Sequence, residues 1–221
     1  MELVDEFCNL LQVHTNRDKV VYLACYSLKF WGATAKRPDL STASARLAAA
    51  RAATRLFDDA AVIKTLHAYG LGKQDGPWWG PLGTSHSIFT LAFLQAEKLI
   101  FLLDTGVLIL DERKVYTIRT AHKLFWSLFT FVGFLRTIRA LHIAAQNLRD
   151  PERTKCASAR FTQATLTSTK SLLDVIHVVS WLPRGWLWGG ALQSSHAAGM
   201  AALSGVLGLI IHYRGKKLVP R

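Results

Sequence analysis

The sequence predicts an all-α helical membrane protein, with an amphipathic, helical-hairpin N-terminal region followed by one or two transmembrane helices. Three observations carry that expectation. From Gly185 to Ile211 there is no Asp, Glu, Lys or Arg, and as a helix the stretch from Ala191 to Ile211 reaches about 32 Å, against a hydrocarbon core of about 30 Å. Apolar residues recur at helical spacing through most of the remaining chain, with Gly and Pro between the periodic segments. The net charge is +12, and basic and aromatic residues stand at the ends of the apolar segments, where an interfacial belt would hold them.

Residues 2 to 13 place Leu3, Phe7, Leu10 and Leu11 on one side and Glu2, Asp5, Glu6, Asn9 and Gln12 opposite, which describes a short acidic amphipathic helix. Asn16 is an N-cap candidate for the next helix, whose apolar stripe is Val20, Val21, Ala24, Leu28 and Trp31. Lys19, Tyr22, Tyr26 and Lys29 are expected to face away from that stripe. Gly32 and the KRPD turn at 36 to 39 end the helix, because proline lacks the backbone donor and disfavours helical angles in its predecessor. Ser41 or Thr42 then caps a long Ala-rich helix to about Tyr69, stopped by Gly70 and Gly72. Within it, Arg55 lies three and four residues from Asp58 and Asp59, at the spacing of a surface ion pair.

The loop LGKQDGPWWGPLG at 71 to 83 separates two helical hairpins and carries Trp78 and Trp79. Those tryptophans fit either a headgroup-dipping role or a packed loop. Thr84 to Leu103 is apolar nearly all round and reads as a helix buried between others. VLIL at 107 to 110 reads as linker. Asp111 caps a helix that becomes apolar at residues 124 to 135, about 18 Å of uncharged length, short for a crossing unless Arg119, Lys123, Arg136 and Arg139 snorkel. Core helix, interfacial helix and span all fit it. Asp150 and Pro151 break that helix, and another runs from Glu152 to about Val179. Pro183 and Gly185 turn the chain into the final apolar segment. There Ser194, Ala198 and Ala202 form one small-residue row and Ala197, Ala201 and Gly205 another, either of which would let a helix approach closely. Trp186, Trp188 and Arg184 mark one end; Tyr213, Arg214, Lys216 and Lys217 mark the other. A buried hairpin in a soluble protein is the competing reading, favoured by Gln193, Ser194, Ser195 and His196. LVPR at the C-terminus resembles half of a thrombin site and is read as a tag scar.

From Arg153 onward the chain has nine Lys or Arg against one acid, Asp174, an asymmetry that favours an anionic phospholipid surface. Nucleic acid fits less well, since the basic residues are scattered singly among apolar ones. Arg46, Arg51, Arg55, Lys64, Arg184, Arg214, Lys216 and Lys217 are the candidate headgroup contacts. The three cysteines, Cys8, Cys25 and Cys156, lack metal or redox spacing and point to a reducing compartment. The acidic start MELVDEF is unlike a secretory signal. No HExxH, paired CxxC, GxSxG or complete phosphate loop occurs, and the eight histidines stand singly, so no catalytic residue, metal site or cofactor is expected. GLGK at 70 to 73 reads as a helix C-cap.

NRDKVVYLACY at 16 to 26, RLFDDAAVIKTLHAYGLG at 55 to 72 and WLPRGWLWGG at 181 to 190, in that order, resemble the peroxin-eleven family of peroxisomal membrane proteins, most closely its gamma-type members. The resemblance implies a non-enzymatic protein of the peroxisomal membrane, multi-pass with cytosolic termini, that drives membrane elongation before fission. An N-terminal amphipathic helix would insert into one leaflet; residues 17 to 31 have the cleaner stripe, and 41 to 69 carries more basic residues. It further implies self-association, recruitment of fission machinery and delivery by the peroxisomal membrane-protein import receptor. A pore or transport-regulating role is the alternative, with Ser127, Thr130, Gln193, Ser194, Ser195 and His196 as lining candidates. A soluble helical scaffold is the third reading. The expected division is 1–112 as a cytosol-facing, membrane-associated helical region and 113–150 as a possible first span. An intervening helix at 151–180 and the C-terminal span with its basic flank at 181–217 follow, with the scar at 218–221.

Overall fold

The computed structural model describes Cys8, residues 11–149 and residues 156–218. The acidic helix expected over 2 to 13 and the Asp150–Pro151 break lie largely outside the described residues. Among those described, the fold is all-α, as the periodicity predicts, with α1 (His14–Thr34), α2 (Pro38–Thr54), α3 (Asp59–Tyr69), a 3-10 turn (Lys73–Asp75), α4 (Trp79–Asp104), α5 (Glu112–Leu148), α6 (Ala157–Val179) and α7 (Ser194–Leu218). Neighbours in space follow a ring: α2 packs on α1, α1 on α7, α7 on α6, α6 on α5, α5 on α4, and α4 on α3, while α2 also reaches α4. The first helix therefore closes against the last.

Among the described residues, three helices are long and apolar enough to cross a membrane: Trp79–Asp104, Glu112–Leu148 and Ser194–Gly215. The second and third are the two segments singled out in the sequence. The first, read there as a helix buried between others, joins them as a third candidate span. At 37 residues α5 would extend about 55 Å, so the apolar stretch at 124 to 135 has helical extensions on both sides and its length does not prevent a crossing.

Several boundaries differ from expectation for local reasons. Helix α1 starts at His14, with Val13 at the N-cap; Asn16 is buried and accepts a hydrogen bond from Lys19 Nζ at 3.1 Å. The long helix expected to Tyr69 is two helices, since residues 55 to 58 leave the helical path between α2 and α3. Pro38 opens α2 with Asp39 in its first turn, favourable placements for a ring with no N–H and for a negative charge at the dipole's positive end. Gly70, at φ +57°, ends α3, and Gly72 is also left-handed at φ +65°. Helix α4 begins at Trp79, ahead of the expected Thr84, with Gly80 and Pro81 in its first turn, where proline is tolerated.

The 70–80 turn is held tightly. A Cβ on Gly80 would stand 2.5 Å from the carbonyl oxygen of Gly72. Tyr69 donates its hydroxyl to Asp75 at 2.5 Å, and Arg139 on α5 reaches the same carboxylate at 3.1 Å while lying over the Trp79 ring. The loop between α6 and α7 is also tied down: Trp188 donates its indole N–H to the Ile176 carbonyl at 3.0 Å, and the Gly190 amide donates to Ser180 at 2.9 Å. The buried cluster Val175, Val179 and Leu182, flanked by Leu124 and Phe134, packs α6 onto α5.

Candidate functional site

Helix α1 turns polar side chains into the bundle: Tyr22 and Tyr26 line a cavity, and Lys29 Nζ sits 3.8 Å above the Trp181 ring. Cys25 and Ser44 join α1 to α2, the Ser44 hydroxyl donating to the Cys25 carbonyl at 2.9 Å and the thiol donating to the Ser44 carbonyl at 3.3 Å. The apolar stripe reaches the surface only in part. Val20, Val21 and Leu28 are half-buried, Ala24 is exposed and Trp31 is 60% exposed. The spacing of Lys19, Tyr22, Tyr26 and Lys29, three, four and three residues apart, marks that face in the sequence; which face the protein buries could not be read from it.

The proposed headgroup contacts separate into two groups. Arg46, Lys64, Arg184 and Arg214 are exposed. Arg51 and Arg55 are turned inward and engaged. Arg51 forms a two-pronged ion pair with Asp18, at 2.7 and 2.8 Å, and Arg55 pairs with Glu97 on α4. The expected pairing of Arg55 with Asp58 and Asp59 is therefore replaced; Asp59 instead pairs with Lys98 at 2.5 Å. The side chains of Lys216 and Lys217 lie outside the described residues.

The small-residue rows of α7 are occupied within the chain. Ala197, Ala198, Ala201 and Gly205 are buried, Ala202 is half-buried, and Ser194 is exposed. A Cβ on Gly205 would lie 3.3 Å from Leu23 of α1, and one on Gly199 would lie 3.3 Å from Phe30. Leu203, Val206 and Ile210 occupy the outward face of the same helix.

Between the helices lies a cavity of about 830 Å³, partly open to the surface and bordered by α1, α2 and α4 to α7. Ionisable groups gather there in pairs: Asp18 with Arg51, Glu97 with Arg55, and Asp174 with Lys170 at 2.6 Å and with the Ser204 hydroxyl. Burial disfavours the charged form of Asp18, yet the hydrogen bonds and charge of Arg51 prevail and hold its carboxyl below the ordinary value. Of the residues considered as a pore lining, Thr130 borders this cavity. Ser127 is buried but donates to the Lys123 carbonyl of its own helix, and Gln193 and His196 are exposed. Above the cavity, His177 is fully buried among Tyr26, Trp126 and Trp181, with Nδ1 2.8 Å from the Ala197 carbonyl. No cluster of three metal-ligating side chains occurs among the described residues.

Comparison with known proteins places this architecture. Residues 4–211 match the family described as Peroxisomal biogenesis factor 11 (PEX11). A relative from Mus musculus named Peroxisomal membrane protein 11C is 26% identical over 227 residues, covering 94% of this chain and 93% of that protein. The protein of the same name from Homo sapiens is 24% identical over 229 residues, covering 95% and 94%. No solved structure gives a significant match. A family match running from α1's approach to the last apolar turn of α7, with three helices able to span a membrane, establishes that the chain belongs to the peroxisomal biogenesis factor 11 family.

Proposed function

We propose that this chain is a non-enzymatic, multi-pass protein of the peroxisomal membrane that promotes membrane elongation, with α1 as the shaping element. The observation that carries the reading is the apolar stripe of α1, with Ala24 and Trp31 at the surface and Val21 and Leu28 half-buried beside them, backed by a polar face already engaged with the bundle. Such a stripe gains by burial in acyl chains, and a helix inserted about 5–10 Å into one leaflet expands it relative to the other. Arg46 and Lys64, both exposed, add attraction to anionic headgroups. Cytosolic termini require an even number of crossings. Self-association, a fission partner and the import receptor belong to the same reading.

The test is vesicle shape. Full-length protein reconstituted at rising protein-to-lipid ratios is imaged by electron cryomicroscopy beside a Val21→Ser, Leu28→Ser, Trp31→Ser variant. Tubules that increase with wild-type protein and vanish with the variant, while both resist alkaline carbonate, support the reading. Tubulation retained by the variant rejects α1 as the shaping element.

The charged internal cavity favours a second reading, a solute path through the bundle, because polar groups at membrane depth usually face protein or water. Size-dependent flux through the same vesicles, reduced by filling substitutions at Thr130, would support it; tight vesicles at high protein density would reject it.

A further inference from the structure

We infer that the central cavity is a binding site for an anionic amphiphile, a molecule carrying a phosphate or carboxylate on an apolar body. At about 830 Å³ the space lies within the roughly 300–1,000 Å³ of small-molecule sites. Its lining has five basic side chains, Lys19, Arg51, Arg55, Arg136 and Lys170, against three acids, Asp18, Glu97 and Asp174. Every acid is already paired, so the surplus positive charge is left to the cavity. Lys19 donates to the side-chain oxygen of Asn16, and Arg136 lies 5.6 Å above the Tyr69 ring; among the described residues neither has a carboxylate within 4 Å.

Two buried nitrogens of the lining, Arg55 Nε and His122 Nε2, lack a hydrogen-bond partner within the chain, an unfavourable state that persists where a partner is supplied from elsewhere. Both belong to one cluster: the Phe93 ring stacks on His122 at 4.6 Å and carries the Arg55 guanidinium at 5.8 Å. A guanidinium suits carboxylate and phosphate oxygens alike. One part of the remaining wall, Trp126, Phe129, Val178 and Ile211, is apolar and would receive the body of the ligand. Arg136, exposed while also lining the cavity, stands at its rim. The site is independent of the membrane-shaping reading, because it is defined by the interior and not by the outer face of α1.

The experiment uses the full chain in a neutral maltoside detergent, titrated with dodecyl phosphate, dodecanol and inorganic phosphate. Dodecyl phosphate is expected to bind and raise the Tm. His122→Phe keeps the stack on Phe93 but removes the ring nitrogens, and Arg136→Gln removes charge at the exposed rim; each is expected to weaken binding about tenfold, as for loss of a charge-assisted hydrogen bond. Should His122→Phe fail to fold, Arg136→Gln alone carries the test. Inorganic phosphate binding far more weakly supports an anion on an apolar body, whereas equal affinity with the same sensitivity overturns the amphiphile. Binding of no anionic probe, dodecanol binding as tightly as dodecyl phosphate, or affinity unchanged by Arg136→Gln overturns the proposal. None of these readouts depends on vesicle shape.

Discussion

Arg55 holds the buried carboxylate of Glu97, 42 residues further along the chain, and so fixes the turn between α2 and α3 against the candidate span α4. Removing one member of such a pair strands the other charge away from water, at a cost of about 3–5 kcal/mol. Arg55→Met should lower stability by that order in chemical unfolding of detergent-solubilised protein. Adding Glu97→Gln should recover most of the loss. A double variant as unstable as the sum of the single ones would mean that the two groups are not energetically coupled.

Asp18 provides a pH test. Its folded carboxyl titrates below its ordinary 3.8 because Arg51 outweighs the effect of burial, so the folded state binds fewer protons than the unfolded one across that interval. The stabilisation is complete above the ordinary value and is lost as pH falls through the lower folded one. Between about pH 6 and about pH 3, Asp18→Asn should show a shallower fall in Tm than the unaltered chain. Parallel curves would remove Asp18 as a source of acid sensitivity.

The glycine contact beneath the first turn of α4 is equally specific. A Cβ at Gly80 meets backbone atoms of both Leu71 and Gly72, which cannot rotate aside. Gly80→Ala should destabilise by about 1–3 kcal/mol, the range for overpacking. Gly133→Ala is the control, since its nearest neighbour would be the His86 ring at 3.3 Å, a side chain able to shift. Equal effects of the two substitutions would contradict the close backbone approach.

The elements were legible where one local signal dominates. Helix α7 follows from a long uncharged stretch, and the end of α3 from Gly70 and Gly72. The break at 55 to 58 was not, because Ala-rich sequence favours helix on both sides and the interruption coincides with distant partners, Glu97 for Arg55 and Lys98 for Asp59. The cavity escaped for a related reason. Lys19, Tyr22 and Tyr26 define a polar face, but in a protein surrounded by lipid the apolar face can be the outer one, so periodicity finds two faces without saying which is buried. The carboxylates that complete the cavity, Glu97 and Asp174, come from helices far apart in the chain.

The small-residue seam of α7 separates packing within the chain from association between chains. Ala201 is 0% exposed, whereas Leu203, two residues on, is 59% exposed. Ala201→Leu should therefore reduce the stability of the single chain by about 1–3 kcal/mol or more. Leu203→Ala should leave it within about 0.5 kcal/mol. Unfolding in detergent, read together with oligomer size, checks both; a change in oligomer size at Ala201→Leu with stability untouched would place the seam between chains.

Helix α1 lies antiparallel against α7, with Leu23 beside Gly205 and Phe30 beside Gly199. A Cβ at Gly205 would lie 3.3 Å from the Leu23 Cβ, close to the separation of about 3.5–4.5 Å that a disulfide spans. A Leu23→Cys, Gly205→Cys pair, in a background with Cys25 and the other two cysteines replaced by Ala, should oxidise readily and lock α1 in place. If shaping depends on release of α1, the oxidised protein leaves vesicles round and reduction restores tubules. Tubules of equal number in both redox states would mean that α1 acts from its position against α7, and that curvature arises from the shape of the assembled bundle.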